Sequence, residues 1–211
     1  TRFRNVTGVQ TCALPISTPE RAHWRPLIPH RPGIFIINLI VCAGHMVRLE
    51  RANALASIVI RDLADDSEHT IAFDEAAYSL DMHEGYEYET TTLRFTYSSM
   101  TTPTEVYDYD MATRQRVLRK RQLIPSGHDP ANYVTTRIMA TAHDGAEVPV
   151  SILHRRDLVR DGRAPLLLYG YGSYGAAMPA SFSSNRLSLV DRGFVYAIAH
   201  IRRSEEHTSE L

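Results

Sequence analysis

The sequence predicts blades of an incomplete, all-β propeller followed by the beginning of a mixed α/β sheet. Short β-rich runs separated by turn residues fill the first half, and they recur with a period of about 48 residues. The second half reads as hairpin, strand, helix and strand, which is how a mixed α/β sheet begins. A turn-rich segment without periodicity, residues 125–130, separates the two halves.

Two sets of short strands make up the first half. The predicted strands are 34–41, 45–51, 57–63 and 70–73 in the first set, and 91–98, 104–109 and 114–120 in the second. Residues 45–49 match 93–97 in alternation, and the turn at Asp62 matches the turn at Asp110. A repeat of this length with about four strands per unit is typical of propeller blades. A β-meander with coincidental similarity is the alternative.

Two blades cannot close a propeller, because each blade packs on its neighbours and at least ~3 repeats are normally needed. The apolar stripe of Leu93, Phe95 and Tyr97 is therefore expected to lack a neighbour on one side. We expect these blades to belong to a larger propeller.

The second half contains the most informative turn of the chain. Predicted strands 134–142 and 148–154 flank an Asp-Gly hairpin turn, and a helix over 181–191 with serine caps precedes a strand over 194–201. The apolar run 166–169 predicts a buried strand that ends in a Gly/Tyr-rich turn. Open α/β sheets place their sites at this edge, and tyrosine hydroxyls there suit the binding of an oxyanion. A structural turn with tyrosines packed in the core is the alternative.

Composition excludes several classes of protein. The 211 residues are 44% hydrophobic and 22% charged with a net charge of −1, as in a globular protein of one or two domains without a nucleic-acid footprint. No run reaches the ~18 apolar residues of a membrane helix, so we expect no membrane partner. Cys42 is predicted to be a small buried hydrophobe, and the lack of a disulfide framework fits a reducing cytosol.

Several motifs occur in an order that resembles a known family. They are the segments 24–31 (W-R-P-L-I-P-H-R), 73–75, 92–103, 134–150, 168–174 (L-Y-G-Y-G-S-Y) and 186–202. Together they resemble the oligopeptidase B group of the prolyl oligopeptidase family of serine peptidases, over residues 18–202. The resemblance implies that 18–127 are the C-terminal blades of a β-propeller and 128–202 the start of an α/β-hydrolase peptidase domain.

Both ends of the chain depart from this family. Residues 1–17 and 203–211 resemble translated sequencing-adapter DNA, so we predict that they are non-native and leave them out of the fold prediction. A genuine, unusual tail is the alternative.

The resemblance also implies an activity: hydrolysis of short peptides after Arg or Lys through an acyl-enzyme, in the cytoplasm and without a cofactor. Tyr171 matches the family's oxyanion tyrosine, and Tyr174 matches an aromatic residue lining the pocket for the P1 side chain. The family's serine, aspartate and histidine would lie beyond Arg202. The chain by itself is therefore predicted to be inactive, and its oligomeric state stays open.

Other candidate residues are better explained by structure. Ser173 is a near miss for the G-x-S-x-G nucleophile motif, because Tyr171 stands where the first glycine belongs. The pairs at 128–129 and 143–144 fit turn chemistry, and His200 fits a buried or hydrogen-bonded histidine. The basic run 114–121 predicts a solvated strand face, and the histidine spacing does not favour a metal site.

Two other functions fit the sequence. The chain would be a non-enzymatic β-rich interaction module if its propeller strands bind a partner and the tyrosine turn is structural. It would belong to another α/β hydrolase, such as an esterase with an added β domain, if the downstream pocket lacks acidic residues.

Overall fold

A computed structural model describes residues 2–6, 9–14, 17–172 and 178–201. This part of the chain forms four β-sheets and one α-helix. The first sheet has three antiparallel strands in the order β1-β2-β3, which are Arg2–Val6, Val9–Leu14 and Arg25–Ile28. A 3-10 turn at Arg21–His23 precedes β3.

Two four-stranded antiparallel sheets follow, and each is a propeller blade. The first has the order β4-β5-β6-β7, with strands Ile34–Val41, His45–Ala52, Leu55–Asp62 and Glu68–Thr70. The second has the order β11-β10-β9-β8, where β8 to β11 are Tyr78–His83, Thr92–Ser99, Glu105–Asp110 and Arg116–Arg121. The predicted propeller blades are thus confirmed. The sequence missed β8, and it placed the last strand of the first blade two residues too late.

The two blades share both their strand positions and the structure of one turn. The segments matched in the sequence lie in β5 and β9, the second strand of each blade. The Asp62 Oδ1 atom accepts a hydrogen bond from the N–H of Ala64 at 2.8 Å, and Asp110 Oδ1 accepts one from Ala112 at 3.0 Å. An aspartate that bonds the backbone two residues on stabilises a tight turn, so both repeats use the same device.

A single apolar cluster joins the blades. Phe95 is fully buried and Leu93 is 4% exposed, in one cluster with Ile58 and Ile60 of the first blade. The stripe therefore has the first blade as its neighbour on this face, and whether the second blade has a neighbour on its other side stays a prediction. Periodicity shows that one face of a strand is apolar, but it does not show which neighbour covers that face.

The fourth sheet is mixed. Its order is β12-β13-β15-β14, with strands Tyr133–Thr141, Glu147–Arg155, Val195–Ala199 and Leu166–Gly170, and only β14 and β15 are parallel. A 3-10 turn at Pro130–Asn132 precedes β12. The hairpin between β12 and β13 has the predicted turn, with Gly145 at φ +83°.

The helix of this part, α1, is shorter than predicted. It spans Ser184–Val190 and ends before Gly193, which has a φ of +90°. Ser183 is the N-cap residue, but its side chain makes no capping hydrogen bond. Leu187 and Val190 are the buried residues of the helix, and they pack with Tyr196 and Ile198 of β15.

The prediction of a strand at 166–169 is confirmed, but the prediction that this strand is buried is wrong. The strand exists as β14, but within the described residues it is an edge strand that pairs with β15 alone, and Leu166 and Leu168 are 59% and 61% exposed. A continuous apolar run is compatible with burial on both faces, yet burial depends on which elements pack on the strand. Among the described residues, none pairs with its outer edge.

The second blade and the mixed sheet share a contact. Ala77 and Met100 of the blade region belong to the same apolar cluster as Leu187 and Ile198. The Ser98 hydroxyl accepts a hydrogen bond from the N–H of Phe182 at 2.9 Å. The division into domains at residues 127 and 128, and the non-native nature of 1–17 and 203–211, stay predictions. No helix in the described ranges is long and apolar enough to cross a membrane.

Candidate active-site edge of the mixed sheet

The predicted site residue Tyr171 lies at the carboxyl end of the mixed sheet. Strands β14 and β15 are parallel, and Gly170 pairs with Ala199, so Tyr171 and His200 follow at the same sheet edge. Tyr171 is 40% exposed, which leaves it accessible to a ligand. The carboxyl ends of parallel strands are where α/β sheets place ligands. Tyr174 and Ser173 lie outside the described residues.

His200 is buried beside this edge, as the sequence predicted. It is 6% exposed, and its Nε2 atom lies 2.8 Å from the hydroxyl oxygen of Ser151 on β13. Burial lowers the pKa of His200, and the positive charge of Arg137 lowers it further, while the carbonyl of Met178 acts in the opposite direction. The ring is therefore held in its neutral form at pH 7.

Sequence reasoning missed two members of this polar group, Arg137 and Ser151. They lie directly opposite each other on β12 and β13. The register between these strands runs without interruption from the Asp-Gly turn, where Thr141 pairs with Glu147. The predicted turn was therefore a sufficient signal to place Arg137 beside Ser151.

The other candidates have structural roles, in line with their predictions. Asp129 Oδ1 accepts a hydrogen bond from the N–H of Ala131 at 3.0 Å, and Asp144 Oδ1 accepts one from Ala146 at 3.1 Å. The basic run forms β11, an edge strand whose six residues are all exposed. Two of its arginines are ion-paired, since Arg119 Nε donates to Asp108 Oδ2 at 2.8 Å and Arg121 Nε donates to Glu105 Oε1 at 2.6 Å.

His128 does more than the turn chemistry predicted for its segment. Its Nε2 atom lies 2.5 Å from the carbonyl oxygen of Thr101 in the second blade. Its ring stacks on Tyr133 of the mixed sheet, with 5.5 Å between centroids, and meets Phe182 edge-on at 4.9 Å. The side chain therefore bridges the second blade and the mixed sheet.

A cavity of about 520 Å³ lies at the second blade, away from the sheet edge. Its walls include the rings of Tyr97 and Tyr107 and the carboxylates of Glu75 and Glu105. Glu105 accepts hydrogen bonds from the Tyr107 hydroxyl at 2.5 Å and from Arg121 Nε at 2.6 Å, and burial raises the pKa of Tyr107 to about 12. Glu105 and Tyr107 are therefore engaged with each other in the wall of this cavity.

Two further sources of catalytic chemistry in proteins are a bound metal ion and a reactive thiol. The described residues contain no group of three or more His, Cys, Asp or Glu side chains arranged to hold a metal ion. Cys42 is free and buried, as predicted, and burial raises the pKa of its thiol. A thiol in such surroundings behaves as a small hydrophobe.

Comparisons with known proteins agree with the blades and with the order of the motifs. Residues 5–122 match the family model described as the N-terminal β-propeller domain of prolyl oligopeptidase. Dipeptidyl aminopeptidase BI of Pseudoxanthomonas mexicana is 41% identical over 208 residues, which cover 98% of this chain and 28% of that protein.

Solved structures give the same result. Oligopeptidase B from Trypanosoma brucei, in a closed form with covalently bound antipain, superposes with a TM-score of 0.82 at 33% identity, over 92% of this chain and 29% of that one. Oligopeptidase B from Leishmania major superposes with a TM-score of 0.80 at 31% identity, over 89% and 27%.

The chain thus spans between a quarter and a third of the length of these relatives. The family model covers the propeller blades and more than half of the chain, and the described mixed sheet continues from them. The chain belongs to the prolyl oligopeptidase family of serine peptidases.

Proposed function

We propose that this chain carries the last propeller blades and the first strands of the α/β-hydrolase domain of a serine oligopeptidase. The observation that carries the proposal is Tyr171, an exposed tyrosine at the carboxyl end of a parallel strand in a member of this family. The parallel pair of β14 and β15 supports the α/β-hydrolase assignment, since two antiparallel strands lead into it.

The proposed role of Tyr171 is electrostatic. During acyl transfer the carbonyl oxygen of the scissile bond becomes negatively charged, and a hydroxyl fixed nearby donates a hydrogen bond to it. The phenol of Tyr171 supplies that donor together with a backbone N–H next to the nucleophile. The nucleophile, acid and base belong to the part of the family's domain that follows Arg202. Tyr174 is proposed to line the P1 pocket.

The proposed substrates are short peptides cut after Arg or Lys in the cytoplasm. The ordered motifs from Trp24 to Arg202 and the similarity to two oligopeptidase B structures support this specificity. In this proposal the propeller caps the site and excludes folded proteins.

A second candidate is removal of dipeptides from the free amino end of a peptide. It is favoured by the 41% identity to a protein named dipeptidyl aminopeptidase. The two candidates differ in one requirement. An endopeptidase accepts an acylated amino end two residues before the scissile bond, whereas a dipeptidyl aminopeptidase needs a free amine there.

Both candidates are tested by expressing the full-length protein encoded at the locus. Hydrolysis is measured on Gly-Arg anilide with a free amino end and on its N-acetylated form, and a fluorophosphonate probe reports the active serine. We expect labelling and hydrolysis of both substrates. Hydrolysis of the free-amine form alone would support the second candidate. Absence of both labelling and hydrolysis would refute the proposal that the full-length protein is a serine peptidase.

The site assignment is tested with Tyr171→Phe in the same protein. Loss of one oxyanion donor should lower kcat by roughly 10²–10³-fold with a small change in KM. The matched control is Tyr169→Phe, which removes a hydroxyl from a 39% exposed tyrosine two residues earlier. Equal kcat values for Tyr171→Phe and the control would show that Tyr171 is not the oxyanion donor.

A further inference from the structure

Unsatisfied polar atoms concentrate on one face of the mixed sheet. Five buried side-chain nitrogen or oxygen atoms of the described residues have no hydrogen-bond partner, and three belong to Thr135, Arg137 and His200. Buried polar groups in folded proteins are nearly always bonded, so each exception calls for an explanation. The His200 ring already meets the Ser151 hydroxyl and the carbonyl of Met178, so Thr135 and Arg137 are the two side chains that indicate an acceptor beyond the described residues.

The strand register places these three side chains together. Arg137 lies opposite Ser151, which in turn lies opposite Ile198 on β15. Side chains directly opposite each other share a face, and alternate residues of a strand return to it. Thr135 is two residues from Arg137, and His200 is two residues from Ile198, so both return to the same face. The bond of 2.8 Å between Ser151 and His200 shows that these two side chains lie on that face.

Arg137 is the charged member of the group and lacks a counter-ion among the described residues. No carboxylate of these residues forms an ion pair with it, and the Tyr78 hydroxyl and the His200 ring are the ionisable groups that act on it. Burial lowers the pKa of Arg137, which is the effect of water being withdrawn from a cation. Its Nη2 atom is fully shielded from solvent. Because the residue is half-buried and this one nitrogen is shielded without a partner, an anion beside it should stabilise the guanidinium.

We propose that Arg137 and Thr135 form a carboxylate-binding site on the face of the mixed sheet that the second blade covers. A planar guanidinium and a hydroxyl both donate hydrogen bonds, and a carboxylate offers two oxygens to receive them. The carboxylate has two possible sources, which are the C-terminal carboxylate of a bound peptide and an acidic side chain elsewhere in the protein. The peptide source rests on the proposed function.

The distance to Tyr171 sets the length of the peptide. Arg137 is on β12 and Tyr171 follows β14, so three strand spacings separate them, or about 14 Å. An extended peptide covers this distance in about four residues. A peptide source therefore implies a preference for substrates with a free carboxylate about four residues from the scissile bond.

The experiment compares Arg137→Met with wild type in the full-length protein. One measurement is kcat/KM for a peptide with four residues after its arginine, as the free acid and as the C-terminal amide. The other is Tm, which does not depend on hydrolysis. The control is Arg192→Met, at an exposed arginine of the same sheet region whose Nε donates to the carbonyl of Ser188.

We expect wild type to prefer the acid over the amide by about 10- to 100-fold, and Arg137→Met to remove this preference without lowering Tm. If Arg137→Met keeps the wild-type ratio of acid to amide hydrolysis but lowers Tm by several degrees, the carboxylate belongs to the protein itself. The Tm falls in that case because the variant leaves this carboxylate unpaired. An unchanged preference with an unchanged or higher Tm would overturn the site. Absence of hydrolysis of both peptides by wild type would count against the proposed function, while the Tm comparison would still test an internal carboxylate.

Discussion

The first propeller blade contains a buried arginine and the mixed sheet contains a half-buried one, and the two regions differ in how they pair these charges. In the blade, Arg48 is 1% exposed and bonds two carboxylates. Its Nε atom donates to Glu50 at 2.8 Å, and its two terminal nitrogens donate to Glu68 at 2.8 and 2.9 Å. In the mixed sheet, Arg137 has no such acceptor among the described residues. The blade satisfies its buried charge within its own strands, whereas the mixed sheet does not.

The carboxylates of the blade are themselves shared. Glu68 also accepts from Arg61 Nε at 2.7 Å, and Glu50 also bonds Arg31. The second blade repeats this on its outer face, where Asp108 accepts from Arg94 and Arg119. In such networks the buried charges of a blade are neutralised by residues of the same blade, as expected for a region whose role is structural. An unpaired cation suits a ligand site, and this difference is why the proposed carboxylate site lies in the mixed sheet.

The largest expected loss of stability comes from the substitution Arg48→Met. This change removes one of the two arginine partners of the buried Glu50 and both bonds to Glu68, and it should lower the free energy of unfolding by about 3–5 kcal/mol. Urea unfolding followed by circular dichroism measures it. Arg94→Met, at an arginine whose side chain is 55% exposed, is the control and should lower the free energy of unfolding much less, because water screens an exposed ion pair. If both variants lose the same small amount of unfolding free energy, the ion pairs of Arg48 do not stabilise the blade, and the contrast with Arg137 fails.

A smaller effect concerns pH. The hydrogen bonds from Arg48 lower the pKa of Glu68 to about 2. A carboxylate with a lowered pKa contributes stability above its ordinary titration range and loses it as the pH falls toward the folded pKa. The stability difference between wild type and Glu68→Gln should therefore be about 1–2 kcal/mol at pH 7, since Glu68 is partly exposed.

That difference should shrink steadily below pH 4.5 and vanish only below pH 2, as measured by unfolding at a series of pH values. Glu84→Gln, at an exposed glutamate, is the control. A constant difference across this range would mean that the ion pair does not stabilise the blade.

The smallest effect is expected at the contact between the two regions. Ser98→Ala removes the acceptor for the Phe182 N–H and should cost about 1 kcal/mol. The loss should appear as faster amide hydrogen exchange at Phe182, with unchanged exchange inside the blades. Ser79→Ala, in the neighbouring strand β8, is the control. Unchanged exchange at Phe182 would show that this bond does not hold the two regions together.

Much of the fold was predictable because local patterns determine it. The repeat of Asp62 at Asp110, the Asp-Gly hairpin and the alternating strands all follow from side-chain period and turn chemistry. Strand β8 escaped prediction because Tyr78–His83 has a weak β pattern and is recruited by pairing with β9. The position of Tyr171 after a strand was predicted as well, but its neighbour His200 comes from β15, and only strand order brings them to one edge.

By itself the sequence determined the blades, the hairpin, the family and the candidate oxyanion tyrosine, because each depends on neighbours in the chain or on an ordered set of motifs. Tertiary structure decided which apolar residues are covered, burying Leu93 and leaving Leu168 exposed. It also decided that Arg48 is paired and Arg137 is not. Burial and charge pairing depend on contacts between residues far apart in the chain, and local pattern carries no information about those contacts.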